Sequence, residues 1–275
     1  MVFTSREKRQ KRYEAGGEVS LPRFFIGKEQ IDELSGLVTI TGDDAHHIAR
    51  SLRMAAGEHV TVCDSQKTEY DCELLHFEDD RVVTARIVSA APMMTEPPIS
   101  VTLYQALPKG DKLDTVIQKA VECGVSEITP FESERCIVKV KPDAEEKKTQ
   151  RRQRISEEAS KQCGRSVIPE VKPTVSFDEM LERASQCNII FFCYEGDGTK
   201  PLGRLLPWLD EFKKAKGEYP TVAVVIGSEG GFSLAEVEKA RARGFILTGL
   251  GRRILRTETA PLFILSSIVC FTELT

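Results

Sequence analysis

The stretch Thr221-Val-Ala-Val-Val-Ile-Gly-Ser-Glu-Gly-Gly-Phe-Ser-Leu-Ala-Glu236 decides the fold, because it predicts a strand, a glycine turn and a helix in succession. Residues 221–226 are nearly all apolar, which is typical of a strand in a parallel sheet covered on both faces. Ser233 and Glu236 have the spacing of a capping box, which predicts a helix over residues 233–243. Ligands bind at the carboxyl ends of strands in open α/β sheets, so the glycine turn is a candidate site.

The chain around this stretch repeats the alternation of strand and helix. Strands are predicted at residues 99–107, 126–131, 188–194 and 245–248, and helices at 112–123, 145–163, 177–184 and 260–273. This order predicts an α/β domain built on a parallel sheet. The last helix is apolar nearly all round, so we expect it to be buried on several sides, one of them against a second subunit.

The first third of the chain follows a different pattern. Short strands are predicted at residues 38–41, 59–64, 70–77 and 82–87, with one helix behind a predicted capping box at residues 41–44. We interpret residues 21–91 as a small β-barrel domain and the proline-rich residues 92–98 as a linker to an α/β domain over 99–275. Residues 1–20 form a basic N-terminal tail with five basic and three acidic side chains.

Composition excludes several classes of protein. The 275 residues are 41% hydrophobic and 29% charged, with a net charge of −4, so any nucleic-acid contact must rest on local patches. No apolar run is long enough to span a membrane. The eight cysteines include no Cys-x-x-Cys pair, which favours free thiols in the cytoplasm. All four histidines precede residue 77, which argues against a histidine triad or a metal site in the larger domain.

A second feature follows the predicted strand 245–248, in Leu250-Gly-Arg-Arg-Ile-Leu-Arg-Thr-Glu-Thr-Ala260. It ends at the start of the last helix, so Arg256, Thr257 and Glu258 lie at a helix N-terminus. Taken alone, either loop could be a simple turn or a capped helix start. Their common position after two strands of one sheet favours a shared ligand site. Neither loop is a P-loop or a Gly-x-Gly-x-x-Gly fingerprint.

These two loops together resemble the signature of the RsmE family, the 16S ribosomal RNA uridine-N3 methyltransferases of the SPOUT superfamily. The resemblance covers about residues 21 to 273. It includes Arg23-Phe-Phe-Ile26, Lys109-Gly-Asp-Lys112, Ser133-Glu-Arg-Cys136 and Gln162-Cys-Gly-Arg165. The family usually has proline at the positions of Ser228 and Arg252, so both positions depart from its pattern.

The resemblance implies a PUA-like β-barrel followed by a SPOUT domain whose parallel sheet carries a trefoil knot. It also implies a cytoplasmic homodimer that acts on 16S ribosomal RNA with S-adenosyl-L-methionine as cofactor and without a metal. The target would be a uridine N3 in the decoding-centre helix of the small subunit. The implied cofactor-binding residues are Ile226, Gly227, Glu229, Gly230, Gly231, Leu250, Gly251, Ile254, Leu255, Arg256, Thr257 and Thr259.

Loss of the N3 proton spreads negative charge over the uracil carbonyls, which a guanidinium can stabilise. Arg256 is therefore the first candidate catalytic residue. Glu258 is a second candidate, as a base, although a helix-capping role suits it equally well. Basic residues along the predicted helix 145–163 and in the family blocks are candidates for RNA contact. These RNA-binding candidates are Arg23, Lys109, Lys112, Arg135, Lys147, Arg151, Arg154 and Arg165.

Two other functions remain open from the sequence. One is a non-catalytic RNA-binding or ribosome-assembly factor on the same scaffold, which the departures at Ser228 and Arg252 leave possible. The other is an α/β enzyme that uses a different nucleotide cofactor, which the missing nucleotide-binding fingerprints disfavour. Binding of S-adenosylmethionine separates the leading interpretation from both.

Overall fold

The computed structural model describes residues 21–64, 68–92, 95–140 and 142–274. The predicted basic tail, residues 1–20, lies outside them. The described residues form two compact units, one of residues up to 95 together with 164–167, and the other of residues 96–163 and 168–274. The sequence-based domain boundaries remain predictions. Among the described residues, no helix combines the length and apolar character needed to cross a bilayer.

The first unit contains a six-stranded sheet in the order β1-β4-β5-β6-β3-β2. Its strands are β1 Arg23–Phe25, β2 Ile31–Asp32, β3 Leu37–Thr41, β4 His59–Cys63, β5 Thr68–Phe77 and β6 Val82–Pro92. A 3-10 turn at Lys28–Gln30, helix α1 at Gly42–His46 and a π-helical turn at His47–Ser51 complete the unit. Alternate residues such as Val38 and Ile40 are fully buried, as in an antiparallel sheet with one face packed on a core.

The capping box predicted at residues 41–44 does not form. Thr41 is the N-cap of α1, but its side chain makes no capping hydrogen bond. Its hydroxyl instead accepts a hydrogen bond of 3.1 Å from the Gln30 amide. The helix is only one turn long and begins at Gly42 with a φ of +68°, so the local geometry differs from a regular helix start.

The second unit is a parallel sheet of eight strands with helices packed against it, in the order β10-β8-β7-β13-β11-β14-β12, with β9 paired to β8. The strands are β7 Val101–Ala106, β8 Glu127–Glu132, β9 Glu170–Val171, β10 Val175–Ser176, β11 Ile189–Cys193, β12 Lys200–Pro201, β13 Val222–Ile226 and β14 Ile246–Gly249. The helices are α2 Lys112–Glu122, α3 Pro142–Cys163, α4 Phe177–Ala184, α5 Leu202–Leu205, α6 Pro207–Lys216, α7 Leu234–Ala242 and α8 Ala260–Glu273.

The central strands explain why this sheet is parallel and buried. All five residues of β13 are buried, and β13 pairs in parallel with β7 on one side and β11 on the other. A strand covered on both faces gains from apolar residues at every position rather than at alternate ones. The α/β class and the parallel sheet predicted from the sequence are therefore confirmed. The trefoil knot that the resemblance implies stays a prediction.

Candidate functional site

The first bend, residues 227–231, leaves the carboxyl end of β13 and leads into α7. The Gly231 amide donates to the Ser228 carbonyl oxygen at 2.9 Å, which closes a tight turn. Gly231 has a φ of +63°, and a Cβ there would lie 3.2 Å from Glu195 Oε1, so only glycine suits the position. The capping box of Ser233 and Glu236 forms as predicted and fixes the exit of the bend.

The second bend, residues 250–256, leaves the carboxyl end of β14 and ends at α8. The backbone amides of Thr259 and Ala260 both donate to the Arg256 carbonyl oxygen at 2.9 Å, which forms the turn that starts the helix. Ile254 within the bend is 83% exposed. Among the described residues, the side chains of Arg252, Arg253 and Arg256 have neither a hydrogen bond nor an ion pair.

Thr257 joins the two bends. Its hydroxyl donates to the Gly227 carbonyl oxygen at 2.7 Å and accepts from Gln105 Nε2 at 3.0 Å. Gln105 lies on β7 and is fully buried, and its Nε2 also donates to the Ala106 carbonyl oxygen at 3.0 Å. The network therefore links β7, the first bend and the N-terminus of α8 in one buried cluster. No pattern in the sequence indicated the role of Gln105.

The two bends line one cavity of about 390 Å³. Ten of the twelve predicted cofactor residues line it, namely Ile226, Gly227, Glu229, Gly231, Leu250, Gly251, Ile254, Leu255, Arg256 and Thr257. The other two do not. The Gly230 carbonyl oxygen accepts a hydrogen bond from Arg135 at 3.0 Å, and Thr259 lines a separate shallow hollow beside Leu262 and Phe263.

A third segment also lines the cavity, and sequence reasoning missed it. It consists of Cys193, the last residue of β11, and of Tyr194, Glu195 and Thr199 after it. Strand β11 lies between β13 and β14 in the sheet. The signal was present, because residues 188–194 were predicted as a strand and its carboxyl end faces the same edge. Only the order of strands, which the sequence does not give, places this end between the two bends. The remaining unpredicted lining residues are Ser228, Phe232, Gly249, Arg252, Arg253 and Ala260, together with Lys112, which was predicted to contact RNA.

Lys112 lies between two carboxylates at the edge of the cavity. Its Nζ is 2.9 Å from Glu229 Oε1 and 3.4 Å from Glu258 Oε2; the first contact is a hydrogen bond and the second has only the distance of an ion pair. The hydrogen bond from Lys112 to Glu229 raises the pKa of Lys112. Burial opposes ionisation of Glu229, but hydrogen bonds from Lys112 and the Lys109 amide outweigh it and lower its pKa. Both groups are therefore charged at neutral pH.

Glu258, the second predicted catalytic residue, lies two residues before the start of α8. Its Oε2 atom is buried and makes no hydrogen bond among the described residues. Arg256 lies two residues earlier, lines the cavity and is exposed. Arg256 therefore lies in the cavity, whereas Glu258 is next to it and paired with Lys112, and the catalytic roles of both remain predictions.

The predicted RNA-binding residues fall into separate groups. Lys147, Arg151 and Arg154 are exposed on α3, although Arg151 forms an ion pair with Asp114. Lys109, Lys112 and Arg135 lie around the first bend.

Arg23 and Arg165 belong to the first unit and are largely withdrawn from solvent. Arg23 forms a 2.9 Å ion pair with Glu69 and hydrogen bonds to Cys63 and Ser166. Arg165 is 5% exposed. These contacts favour a structural role for both residues, so neither is as available to RNA as the arginines of α3.

Comparison with known proteins gives the class. Residues 95–269 match the model of an RNA methyltransferase domain, and residues 40–88 match that of an RNA methyltransferase PUA domain. The chain is thus an RNA methyltransferase by family, with the PUA-like first unit and SPOUT-type second unit that the resemblance implied.

Individual relatives narrow the class to one family. The chain is 35% identical to ribosomal RNA small subunit methyltransferase E of Bacillus subtilis, over 92% of this chain and 98% of that protein. It is 30% identical to the Synechocystis protein of the same name, over 91% and 78% respectively. The crystal structure of the Neisseria gonorrhoeae protein of that name, bound to S-adenosyl methionine, is 29% identical with a TM-score of 0.75 and coverages of 90% and 96%. The chain belongs to this family, the RsmE family.

Proposed function

We propose that this protein methylates N3 of a uridine in the decoding-centre helix of 16S ribosomal RNA, with S-adenosyl-L-methionine as the methyl donor. The observation that carries the proposal is the cavity in which the two family-signature bends meet, joined by the Thr257 bridge. Relatives named as small-subunit ribosomal RNA methyltransferases, one of them crystallised with S-adenosyl methionine, support the substrate and the cofactor.

The residues of the cavity fit this cofactor. Ile226, Leu250 and Leu255 supply apolar surface for an adenine ring, and Gly227 leaves room at the first bend, where a Cβ would lie 3.2 Å from Phe232 Cε2. Ser228 also lines the cavity, and its buried Oγ has no hydrogen-bond partner among the described residues. Such an unsatisfied hydroxyl is costly unless a ligand supplies a partner. When bound, the sulfonium of the cofactor supplies an activated methyl group.

The protein residues then position the base and stabilise its charge. The Arg256 side chain has no partner among the described residues, so its guanidinium is available to a uracil carbonyl oxygen as N3 loses its proton. Glu258, two residues after Arg256 in the family signature, is the candidate acceptor of that proton. Lys112 pairs with both Glu229 on the first bend and Glu258 before α8. Rate enhancement in this scheme comes from alignment and charge stabilisation.

We further propose that the protein acts as a cytoplasmic homodimer that grips RNA through the exposed face of α3. Lys147, Arg151 and Arg154 supply the positive charge of that face. The proposed subunit contact is α8, where Phe263 is 42% exposed beside Leu262 and the exposed Cys270 in a shallow apolar hollow. An apolar helix face of this kind is typical of a subunit interface.

The decisive experiment combines binding and product analysis. Calorimetry with S-adenosylmethionine should show binding, and mass mapping of 16S ribosomal RNA should show one N3-methylated uridine that depends on this protein. Arg256→Ala should lower the single-turnover rate at least about a hundredfold while cofactor affinity stays close to wild type. Arg243→Ala, an exposed arginine outside the cavity, is the control. A protein that binds RNA but neither binds the cofactor nor methylates would instead be a ribosome-assembly factor.

A further inference from the structure

The cavity carries an excess of positive charge. Four basic and two acidic residues line it. Lys112 is already compensated by Glu229 and by the neighbouring Glu258, at 2.9 and 3.4 Å. Arg252, Arg253 and Arg256 have no internal partner in the part of the chain that the structure describes. All three arginines are exposed on one bend of seven residues, so their charges add up at the rim of the cavity.

The proposed cofactor does not account for this excess. S-adenosylmethionine carries two cationic groups against one carboxylate, so its net charge is positive and three unpaired guanidinium groups repel it. Its single carboxylate can engage one guanidinium in a bidentate contact. A ligand with several negative charges would complement the other two arginines. RNA supplies one phosphate at every nucleotide, and arginine suits phosphate because its planar fork matches two oxygens at once.

We propose that Arg252 and Arg253 bind backbone phosphates of the substrate RNA next to the target nucleotide, and that Arg256 is left for the base. This inference rests on the proposed function, because it assigns the RNA contacts of the same cavity. Ile254 follows the two arginines and is 83% exposed, so it offers apolar surface to a ribose or base face. Within the described part of the chain, residues 252–254 make no side-chain hydrogen bond or ion pair that RNA contact would have to break.

The assignment differs from that of the basic helix face. Arg151 on α3 already pairs with Asp114, so part of that charge is neutralised within the protein. Arg252 and Arg253 have no ion-pair partner among the residues that the structure describes, and they line the same cavity as the first bend. A phosphate contact at this rim would hold the target nucleotide at the site, whereas α3 would contribute affinity along the RNA.

The test is the salt dependence of RNA binding. Arg252→Ala/Arg253→Ala and the wild type are titrated with transcribed, unmodified 16S ribosomal RNA at a series of KCl concentrations. Log affinity declines with log salt, and we expect this slope to become less steep by about 1 for each arginine removed. RNA affinity at low salt should fall at least about tenfold, while calorimetry shows S-adenosylmethionine affinity equal to or tighter than wild type. Arg252→Pro, which restores the usual family residue, should reduce the slope by about half as much.

The control removes the same charge elsewhere. Lys214→Ala/Arg243→Ala alters two exposed basic residues that do not line the cavity, and it should leave the slope close to wild type. A cavity variant that behaves like this control overturns the inference. So does a variant that loses cofactor affinity but keeps RNA affinity, because the arginines would then serve the cofactor carboxylate. A wild-type protein that fails to bind the transcript would overturn the proposed function itself.

Discussion

The two bends that meet in the cavity are held in different ways. The first bend, residues 227–231, is anchored along its length, because its backbone and Glu229 accept hydrogen bonds from Thr257, Arg135 and Lys112. The second bend, residues 250–256, has no side-chain hydrogen bond or ion pair among the described residues and is fixed only at its ends. One wall of the site is thus formed before a ligand arrives, and the other gains its contacts from the ligand.

Among changes in and beside the two bends, the largest expected loss of stability comes from breaking the link between the first bend and α8. Thr257→Val removes the hydroxyl that bridges Gly227 and Gln105 and leaves two buried polar groups short of partners. We expect the free energy of unfolding to fall by about 1–3 kcal/mol in urea titrations. Thr259→Val, at an exposed threonine whose side chain makes no capping hydrogen bond, should change it by less than about 0.5 kcal/mol. Equal losses in the two variants would contradict the anchoring role of Thr257.

A smaller loss of stability is expected where the first bend leads into α7. Ser233→Ala removes one half of the capping box of α7, so the unfolding free energy should fall by about 1 kcal/mol. Thr41→Ala is the matched control, because Thr41 is also an N-cap but makes no capping bond. Thermal or urea unfolding of both variants measures the difference. A larger loss at Thr41 would mean that the observed caps do not stabilise their helices.

The pH-dependent contribution of Glu229 to the free energy of unfolding should be smaller than the loss at Ser233. The pKa of Glu229 is lowered in the folded protein, so its contribution is present above its unfolded pKa and is lost as pH falls through the folded value. The difference in unfolding free energy between wild type and Glu229→Gln should therefore be largest near neutral pH. It should start to shrink below about pH 4.3, the ordinary glutamate pKa, and vanish only once the pH is below the folded pKa of Glu229. Glu238→Gln, at an exposed site on α7, is the control. A difference that persists in acid would rule out the ionised contact with Lys112.

The smallest change in stability should come from a substitution in the second bend. Ile254 is 83% exposed, so Ile254→Ala should change the free energy of unfolding by less than about 0.5 kcal/mol. The same substitution at the buried Ile264 of α8 should cost about 2–5 kcal/mol. Denaturant titrations of the pair test whether the second bend contributes to stability. A loss above about 1 kcal/mol at Ile254 would mean that the second bend contributes to stability as the first bend does.

Most of the long elements were predictable because their own residues define them, and the ten-residue helix α6 is the exception. The prediction for α4 agrees with the observed Phe177–Ala184, and β13 differs from its prediction by one residue. The two-residue strands β9, β10 and β12 and the helices α5 and α6 were not predicted. A two-residue strand has no periodicity of its own, and pairing with a neighbour is what makes it a strand.

The same distinction applies to capping. Ser233 and Glu236 formed the predicted box because a nine-residue helix follows and both side chains are withdrawn from solvent. Thr41 formed no such box, and its hydroxyl instead accepts a hydrogen bond from Gln30 on the 3-10 turn. The box tolerates a further partner, because Glu236 accepts from Ser233 through Oε2 and from the Glu134 amide through Oε1. A local motif is therefore reliable where the tertiary surroundings leave enough of its groups for the local bonds.

The sequence by itself determined the α/β class, the glycine bend after β13 and the residues that recur in the family, because apolar runs, caps and glycines act within a few residues. Only the tertiary structure decided that β11 lies between β13 and β14, that Gln105 reaches Thr257, and that Lys112 is held by two glutamates. These contacts join residues far apart in the chain. Their partners are set by the order of strands in the sheet, which no local pattern encodes.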